Sequence, residues 1–208
     1  MVAARVEQVS CGFLGCPYRI NPLKGSAETP EVFVASTGAF DCVTYVETVL
    51  ARAFGRNSRD FREYLRRLRY RAGQVSWISR NHYMINWIRN NTREGFVRPV
   101  SLSSAEVLKE RMLDMLPGLP AQRQRFKCLP KRLLPTAAKK IQSGDLIFFA
   151  STRPHLDVFH CGIVVWKGGG LLLRHASRSR GGVVEQELSD FLKENRMAGV
   201  IIVRPLEQ

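Results

Sequence analysis

The sequence lacks long apolar segments and a recognisable export signal. No run of about 18 apolar residues occurs in the 208-residue chain, so no membrane-spanning helix is predicted. Met1 to Arg5 do not show the basic, then apolar, then small-residue pattern of a secretory signal. The chain as written is therefore expected in the cytoplasm. Periplasmic or cell-envelope residence is the alternative if the start is truncated.

Cysteine is scarce and scattered. The five cysteines stand at positions 11, 16, 42, 128 and 161, with no CxxC pair and no metal-ligand spacing. This dispersed, odd-numbered set argues against a disulfide framework and against a zinc site. Reduced thiols fit a reducing compartment. We predict neither a metal nor a cofactor.

Acidic residues are few, and the net charge is strongly positive. The chain has 32 Lys and Arg against 18 Asp and Glu, a net charge of +14. Residues 52–71 carry eight arginines, and residues 123–140 carry seven basic residues without an acid. Nucleic acid could bind such stretches, but no nucleic-acid motif accompanies them, so that partner is not favoured. A solvated basic face, or one that attracts a small acidic substrate, is the favoured interpretation.

Helical patterns come first along the chain and strand patterns come last. Apolar spacing predicts helices over 4–15, 42–54, 58–73 and 79–91. Strands are predicted over 145–150, 159–167, 171–177, 183–188 and 200–205, with a short helix at about 189–196. This order predicts an α+β fold, in which N-terminal helices pack on an antiparallel sheet of five or six strands.

The length suits one domain that spans residues 1–208. Within it, Ser103 and Glu106 have the spacing of a capping box, for a helix that would end at Pro117. A basic segment with several prolines follows. We interpret residues 95–143 as a helical and loop elaboration near the site, because the stretch has too little apolar sequence for a second core.

Cys42 is predicted on the first turn of a buried helix. Asp41 precedes the helical pattern and can cap its free backbone N–H groups. A cysteine at a helix N-terminus can ionise to a nucleophilic thiolate. A small buried core cysteine is the alternative, and two histidines in the last third of the chain favour catalysis.

His160 and His175 lie on consecutive predicted strands joined by three glycines. If the turn has two residues, 168 and 169, then Lys167 pairs with Gly170 and the two histidines share one face. A three-residue loop would place them on opposite faces. With the first register, Cys42 attacks a carbonyl, His160 moves the proton and His175 orients His160. A charged Asp41 carboxylate would oppose thiol ionisation unless it turns onto the helix N–H groups.

Several motifs in this order resemble a known family. The chain resembles the NlpC/P60 superfamily of papain-like, cell-wall-directed cysteine peptidases through FDC (40–42), GDLIFF (144–149), HCGIVV (160–165) and RHAS (174–177). It is similar to the N-acetylmuramoyl-L-alanine amidase-like branch through FLGCPY (13–18), FDCVTYVE (40–47), SRNHYMINWI (79–88) and LDVFHCGIVVWK (156–167). The resemblance implies a papain-like NlpC/P60 fold and cleavage of a muropeptide amide.

The resemblance also implies roles for individual residues. Cys42, His160 and His175 would form the catalytic triad, and Tyr18 would help to hold the oxyanion. The residues implied to shape the substrate pocket are Arg80, His82, Tyr83 and Asp157. Cys16 and Cys161 stand where the pattern has threonine-like and valine-like residues, which we interpret as packing changes.

Two other functions stay open at this point. An acyltransferase of specialised biosynthesis would form the same acyl-thioenzyme and pass the acyl group to an amine instead of water. A basic module that binds RNA or DNA through residues 52–71 and 123–140 would show salt-sensitive binding independent of Cys42. The second alternative leaves the Cys–His–His order unexplained.

Overall fold

A computed structural model describes all residues from 1 to 208. It contains six α-helices: α1 (Val2–Gly12), α2 (Cys42–Phe54), α3 (Ser58–Arg69), α4 (Met84–Arg93), α5 (Leu134–Ala137) and α6 (Leu188–Glu194). No helix is both long enough and apolar enough to cross a bilayer.

Eight strands form two antiparallel sheets. The strands are β1 (Val97–Val100), β2 (Val107–Leu113), β3 (Gln122–Cys128), β4 (Leu146–Ala150), β5 (Val158–Lys167), β6 (Gly170–Ser177), β7 (Gly182–Glu187) and β8 (Gly199–Pro205). The main sheet has six strands in the order β1-β8-β4-β5-β6-β7, and β2 pairs with β3 in a separate hairpin. The predicted α+β class with an antiparallel sheet is confirmed.

The central strand β4 separates two apolar clusters. Leu146 and Phe148 belong to the cluster that α1 to α4 complete, whereas Ile147 and Phe149 belong to the cluster that α5 and α6 complete. Alternate side chains of a strand point to opposite faces, so β4 is buried on both sides. This placement fixes the middle of the sheet between two layers of helices.

Helix α2 begins at Cys42, as predicted, because Asp41 caps it. The Asp41 carboxylate accepts from the Thr44 backbone N–H at 2.8 Å, and Asp41 N–H donates to Thr44 Oγ1 at 3.0 Å. This reciprocal pair is a capping box. It places Cys42 at the first helical position.

A buried ion pair joins α2 to α3. Arg69 Nε lies 2.7 Å from Glu47 Oε2, and both side chains are only 2% exposed. Trp87 Nε1 donates to the other Glu47 oxygen at 3.2 Å, and Arg69 also donates to the Val34 carbonyl at 2.5 Å. These hydrogen bonds offset the cost of removing two charges from water.

Helix α3 is amphipathic, and its arginines form the outer face that the sequence predicts. Phe61, Leu65 and Leu68 are buried in the core. The helix is shorter than predicted, because Tyr70 leaves helical geometry and pairs with Arg80 in an isolated bridge. The helix begins at Ser58, as predicted, and Asn57 caps it: its side chain accepts from two backbone N–H groups.

The helix predicted over 79–91 begins later than expected. The residues before α4, including Arg80 and His82, are not helical, and Met84 is the first helical residue. The reason is tertiary: Asp157 accepts from the Ile85 backbone N–H at 2.7 Å and so caps the helix from a distant loop. Local spacing could not indicate this partner.

The helix predicted over 103–117 is wrong. Glu106 does bond back to the Leu102 backbone N–H at 2.8 Å, but residues 107–113 continue as strand β2. Its partner β3 buries Phe126 and Cys128 in the main core and turns its cations outward. Pairing and burial thus override the local capping signal.

Candidate active site

Two cysteines meet at the start of α2. Cys42 is half-buried, and the thiol of Cys161, on strand β5 next to β4, donates to the Cys42 carbonyl oxygen at 3.3 Å. The interpretation of Cys161 as a mere packing change therefore misses a contact with the site. Cys161 directly follows His160 in the sequence, but that adjacency does not indicate that its thiol reaches the start of α2.

The surroundings of Cys42 favour its thiolate form. Hydrogen bonding from the Cys161 thiol and from the His160 ring lowers the pKa of Cys42 well below its ordinary value, despite opposing burial. The charge of His160 acts in the same direction. The hydrogen bond to Cys42 and burial raise the pKa of Cys161, so Cys161 keeps its proton while Cys42 is ionised.

The β5–β6 hairpin brings the two histidines together. Lys167 pairs with Gly170 across a two-residue loop, which confirms the predicted register. Gly168 and Gly169 both have positive φ, 59° and 81°, the conformation that such a tight turn requires. His160 Nε2 lies 2.6 Å from His175 Nδ1, and the ring planes are nearly perpendicular, at 84°.

His175 is suited to accept a hydrogen bond from the His160 ring. Burial, and then the charge of His160, lowers the pKa of His175 to about 3, so its ring is neutral at neutral pH. A neutral Nδ1 can accept from His160 Nε2–H. The other nitrogen of His160, Nδ1, is then left for the Cys42 sulfur.

Aromatic side chains hold the His160 ring. Phe191, on α6, lies 5.4 Å from His160 between ring centroids, and Phe149 stacks on the same ring at 6.1 Å. Phe191 also meets Phe149 at 4.5 Å and the edge of His175 at 5.4 Å. These contacts restrict the orientation of the dyad. No sequence motif indicates Phe191, because it lies on a short helix far from His160 along the chain.

Tyr18 lies beside the cysteine helix. Its backbone N–H donates to the Gly181 carbonyl at 2.8 Å, and it forms a parallel bridge with Phe40. Burial, and then the negative charges of Cys42 and Asp41, raises the pKa of the Tyr18 hydroxyl. The hydroxyl therefore keeps its proton next to the thiolate and can donate it in a hydrogen bond.

Asp41 turns its carboxylate onto the helix backbone and accepts from the Thr44 N–H group. Burial, and then the charge of Cys42, raises the pKa of Asp41 to about 6, while the bonds to Thr44 act in the opposite direction. The bonds to Thr44 therefore lower the pKa of Asp41 by less than burial and the Cys42 charge raise it.

A cavity of about 440 Å³ extends from Asp41 to two of the predicted pocket residues, Arg80 and His82. Arg80 pairs with Glu31 at 3.2 Å and lies over the Trp77 ring at 4.5 Å. His82 Nε2 lies 2.7 Å from the Trp77 carbonyl oxygen. A second cavity, of about 520 Å³, opens on the other side along His160, His175 and Arg178.

Tyr83 and Asp157 occupy other positions. Tyr83 is 5% exposed, lines a separate cavity behind Arg80, and has no hydrogen-bond partner for its hydroxyl. Both oxygens of Asp157 accept from backbone N–H groups, those of Ile85 and Val158, at 2.7 Å. Asp157 therefore supports the start of α4. Direct contacts of Tyr83 and Asp157 with substrate stay a prediction.

The buried His175 and the half-buried His82 make folding sensitive to acid. Burial lowers the pKa of His82 to about 4 and that of His175 to about 3, below the ordinary value of 6.5. Their stability contribution is present above pH 6.5 and is lost as the pH falls towards those values. The raised pKa of Asp41 acts in the opposite direction: as the pH falls from 6 to about 4, the folded state takes up a proton there first, which restores part of the lost stability.

We expect the free energy of unfolding to be about 2 kcal/mol lower at pH 5 than at pH 7.5, after a discount for partial exposure of His82. Urea unfolding at the two pH values measures the difference. His82→Gln keeps a donor for the Trp77 carbonyl but cannot titrate, so it should reduce the pH dependence. Equal stability at the two pH values would show that these rings are not buried in neutral form.

The chain resembles known amidases over nearly its full length. Residues 8–200 match the AmiA-like family, described as N-acetylmuramoyl-L-alanine amidase-like. A crystal structure of an N-acetylmuramoyl-L-alanine amidase from Bacteroides uniformis ATCC 8492 is 28% identical, with a TM-score of 0.89 over 99% of each chain. Comparison with curated proteins gives no match.

Two other solved structures share the fold. One, from Bacteroides fragilis, carries a provisional assignment as a xylanase; it is 29% identical, with a TM-score of 0.85 over 95% of this chain and 99% of that one. A Legionella pneumophila protein is 22% identical, with a TM-score of 0.86 over 99% and 89% of the chains. The match to the family model covers most of the sequence, and the chain therefore belongs to the AmiA-like, N-acetylmuramoyl-L-alanine amidase-like family.

Proposed function

We propose that this protein is a cysteine amidase that cleaves the bond between the lactyl group of N-acetylmuramic acid and L-alanine in peptidoglycan fragments. The observation that carries the proposal is the His160–His175 dyad, whose His160 ring helps to lower the pKa of Cys42 at the start of α2, in a member of an amidase-like family. A place in the papain-like NlpC/P60 superfamily is part of the proposal. The Cys–His–His order along the chain supports it.

In the first half of the reaction, the Cys42 thiolate attacks the lactyl carbonyl carbon. Negative charge develops on the carbonyl oxygen, which the Tyr18 hydroxyl and the free N–H groups at the start of α2 can stabilise. His160 then gives its proton to the L-alanine nitrogen, and the C–N bond breaks. The muramyl lactyl group remains on Cys42 as a thioester.

In the second half, water replaces the peptide. His160, now neutral, removes a proton from water, and the oxygen attacks the thioester carbonyl. Collapse of the intermediate releases the lactyl carboxylate and restores the Cys42 thiolate. His175 stays neutral throughout and orients His160 through the 2.6 Å contact between the rings.

The cavity beside Asp41 is the proposed binding site for part of the muropeptide. Arg80 and His82 line it, and the guanidinium of Arg80 can attract a carboxylate of the stem peptide. The net charge of +14 favours such acidic fragments at longer range. The predicted cytoplasmic location stays a prediction, and soluble fragments are the proposed form of the substrate.

The carboxylates near Cys42 do not favour a glycosidase. Glycoside hydrolysis uses two carboxyl groups that flank the sugar, usually about 5–9.5 Å apart. Asp41 is engaged at the N-terminus of α2, and Glu47 is held by Arg69 and Trp87. Neither carboxylate is free to work on a sugar, whereas the thiolate and imidazoles are arranged for acyl transfer.

Incubation with N-acetylmuramoyl-L-alanyl-D-isoglutamine tests the proposed bond. We expect mass spectrometry to show free L-alanyl-D-isoglutamine and N-acetylmuramic acid. A stereoisomer with D-alanine serves as the matched control for recognition. Cleavage after alanine, or intact substrate at high enzyme concentration, would contradict the assignment. Added amines that become acylated would indicate the acyltransferase alternative.

The contact between Phe191 and the His160 ring gives a further prediction. Phe191→Ala should lower kcat by about tenfold, because the loosened His160 ring spends less time aligned. It should also cost about 3–4 kcal/mol of stability. Leu188→Ala, a buried position on the same helix, is the control: it should destabilise the protein but leave kcat within about twofold. Equal kcat values for the two variants would contradict a positioning role for Phe191.

A further inference from the structure

The second sulfur at the active site is unused by the proposed mechanism. Cys161 is 1% exposed, and its thiol lies 3.3 Å from the Cys42 carbonyl oxygen. Both cysteines belong to rigid elements: Cys42 opens the capped helix α2, and Cys161 lies on β5 in the middle of the sheet. Their proximity is therefore a fixed feature of the fold.

The other cysteines have different surroundings. Cys11 is exposed on α1, and the Cys128 thiol points to the Ala198 carbonyl oxygen, at 3.7 Å. Cys16 is half-buried against the main core. The contact between Cys161 and Cys42 thus sets this pair apart.

We propose that Cys42 and Cys161 form an oxidative modification site, at which a peroxide converts the two thiols into a reversible intramolecular disulfide. A thiolate is the form that reacts with peroxide, and Cys42 is held in that form. Cys42 is partly exposed as a residue, and the proposal requires that a molecule as small as hydrogen peroxide reaches its sulfur. The buried Cys161 thiol, which contacts the Cys42 backbone, would then react with the oxidised Cys42 sulfur.

The chemistry balances with hydrogen peroxide as oxidant. The Cys42 thiolate attacks one peroxide oxygen, the O–O bond breaks, hydroxide leaves, and Cys42 becomes a sulfenic acid. Cys161 loses its proton and attacks the Cys42 sulfur, the S–O bond breaks, and the S–S bond forms. Two thiols and one peroxide thus give one disulfide and two waters. A dithiol reductant reverses the change.

The disulfide would inactivate Cys42 as a nucleophile for as long as it lasts, and it would prevent further oxidation of the Cys42 sulfur. A sulfenic acid without a nearby thiol reacts with more peroxide to give sulfinic acid, which ordinary reductants do not reverse. With Cys161 present, the faster intramolecular step intercepts the sulfenic acid. The inference requires a reactive Cys42 thiolate, but it does not require that a muropeptide is the substrate.

Intact-mass spectrometry and peptide mapping after a hydrogen peroxide titration test the site. In the wild-type protein we expect a loss of two hydrogen masses, one cross-link between the Cys42 and Cys161 peptides, and full recovery with dithiothreitol. In Cys161→Val, Cys42 should instead gain two oxygen atoms irreversibly, at least about tenfold more than in the wild type. Cys161→Ala provides a second variant if valine perturbs folding.

Cys11→Ser is the matched control, since it removes an exposed thiol away from the site and should leave the cross-link unchanged. Sulfinic acid at Cys42 in equal yield with and without Cys161 would overturn the proposal. So would a cross-link from Cys42 to another cysteine. Because the readout is mass, a failure here is distinguishable from a failure to cleave muropeptides.

Discussion

Cys42→Ala is expected to lower the rate of muropeptide cleavage at least about 10⁴-fold, because no other group can carry the acyl intermediate. His160→Ala should lower it about 10²–10⁴-fold, since the thiol loses its proton acceptor and the leaving nitrogen its proton donor. The double variant should be little worse than Cys42→Ala alone, because the two residues act as one unit. Release of the peptide product, followed over several hours, measures these rates.

The controls separate chemistry from folding. Cys11→Ala changes an exposed cysteine and should retain full activity. Cys42→Ala should keep a structure and a stability close to those of the wild type, as measured by circular dichroism and urea unfolding. Cleavage by Cys42→Ala within about tenfold of the wild-type rate would exclude the thioester mechanism.

Glu47→Gln is expected to destabilise the protein by about 3–5 kcal/mol, because it leaves the Arg69 guanidinium buried without a counter-charge. That loss is a large part of the 5–15 kcal/mol typical of a folded domain. Urea unfolding at pH 7.5 measures it. Glu63→Gln is the matched control: its partner Arg66 is 34% exposed and Glu63 is 51% exposed, so the cost should stay below about 1 kcal/mol.

A double-mutant cycle tests whether an unpaired buried charge causes this destabilisation. Glu47→Leu combined with Arg69→Met removes both buried charges, and it should cost less than either single change, since no unpaired charge remains. Additive costs would instead show that the two side chains act independently. In that case the ion pair would not be what joins α2 to α3.

Local rules were sufficient to predict the capped helix and the hairpin that carry the candidate site. Asp41 and the apolar spacing after Cys42 predict a capped helix, and the structure shows it. For a two-residue loop, counting residues predicts that His160 and His175 share a face, and the structure selects that loop over the three-residue alternative. Each of these features depends on neighbours within one element or one turn.

Distant contacts could not be predicted in the same way. Cys161 reaches the start of α2 because β5 packs against that helix, and Phe191 reaches His160 because α6 packs on β6 and β7. No spacing along the chain indicates either contact. The strand at 107–113 looked helical because the capping spacing of Ser103 and Glu106 was real, while its pairing with β3 was hidden. The pocket residues likewise depend on tertiary partners, such as Glu31 for Arg80.

The rate of Cys42 alkylation by iodoacetamide as a function of pH tests most directly whether His160 holds this sulfur as a thiolate. Peptide mapping follows each cysteine separately, and the exposed Cys11 provides an internal reference. We predict that Cys42 reacts at full rate at pH values well below those that Cys11 requires, and that His160→Ala shifts its profile upward. A Cys42 profile that matches that of Cys11 in the wild type, unchanged by His160→Ala, would contradict the proposed mechanism.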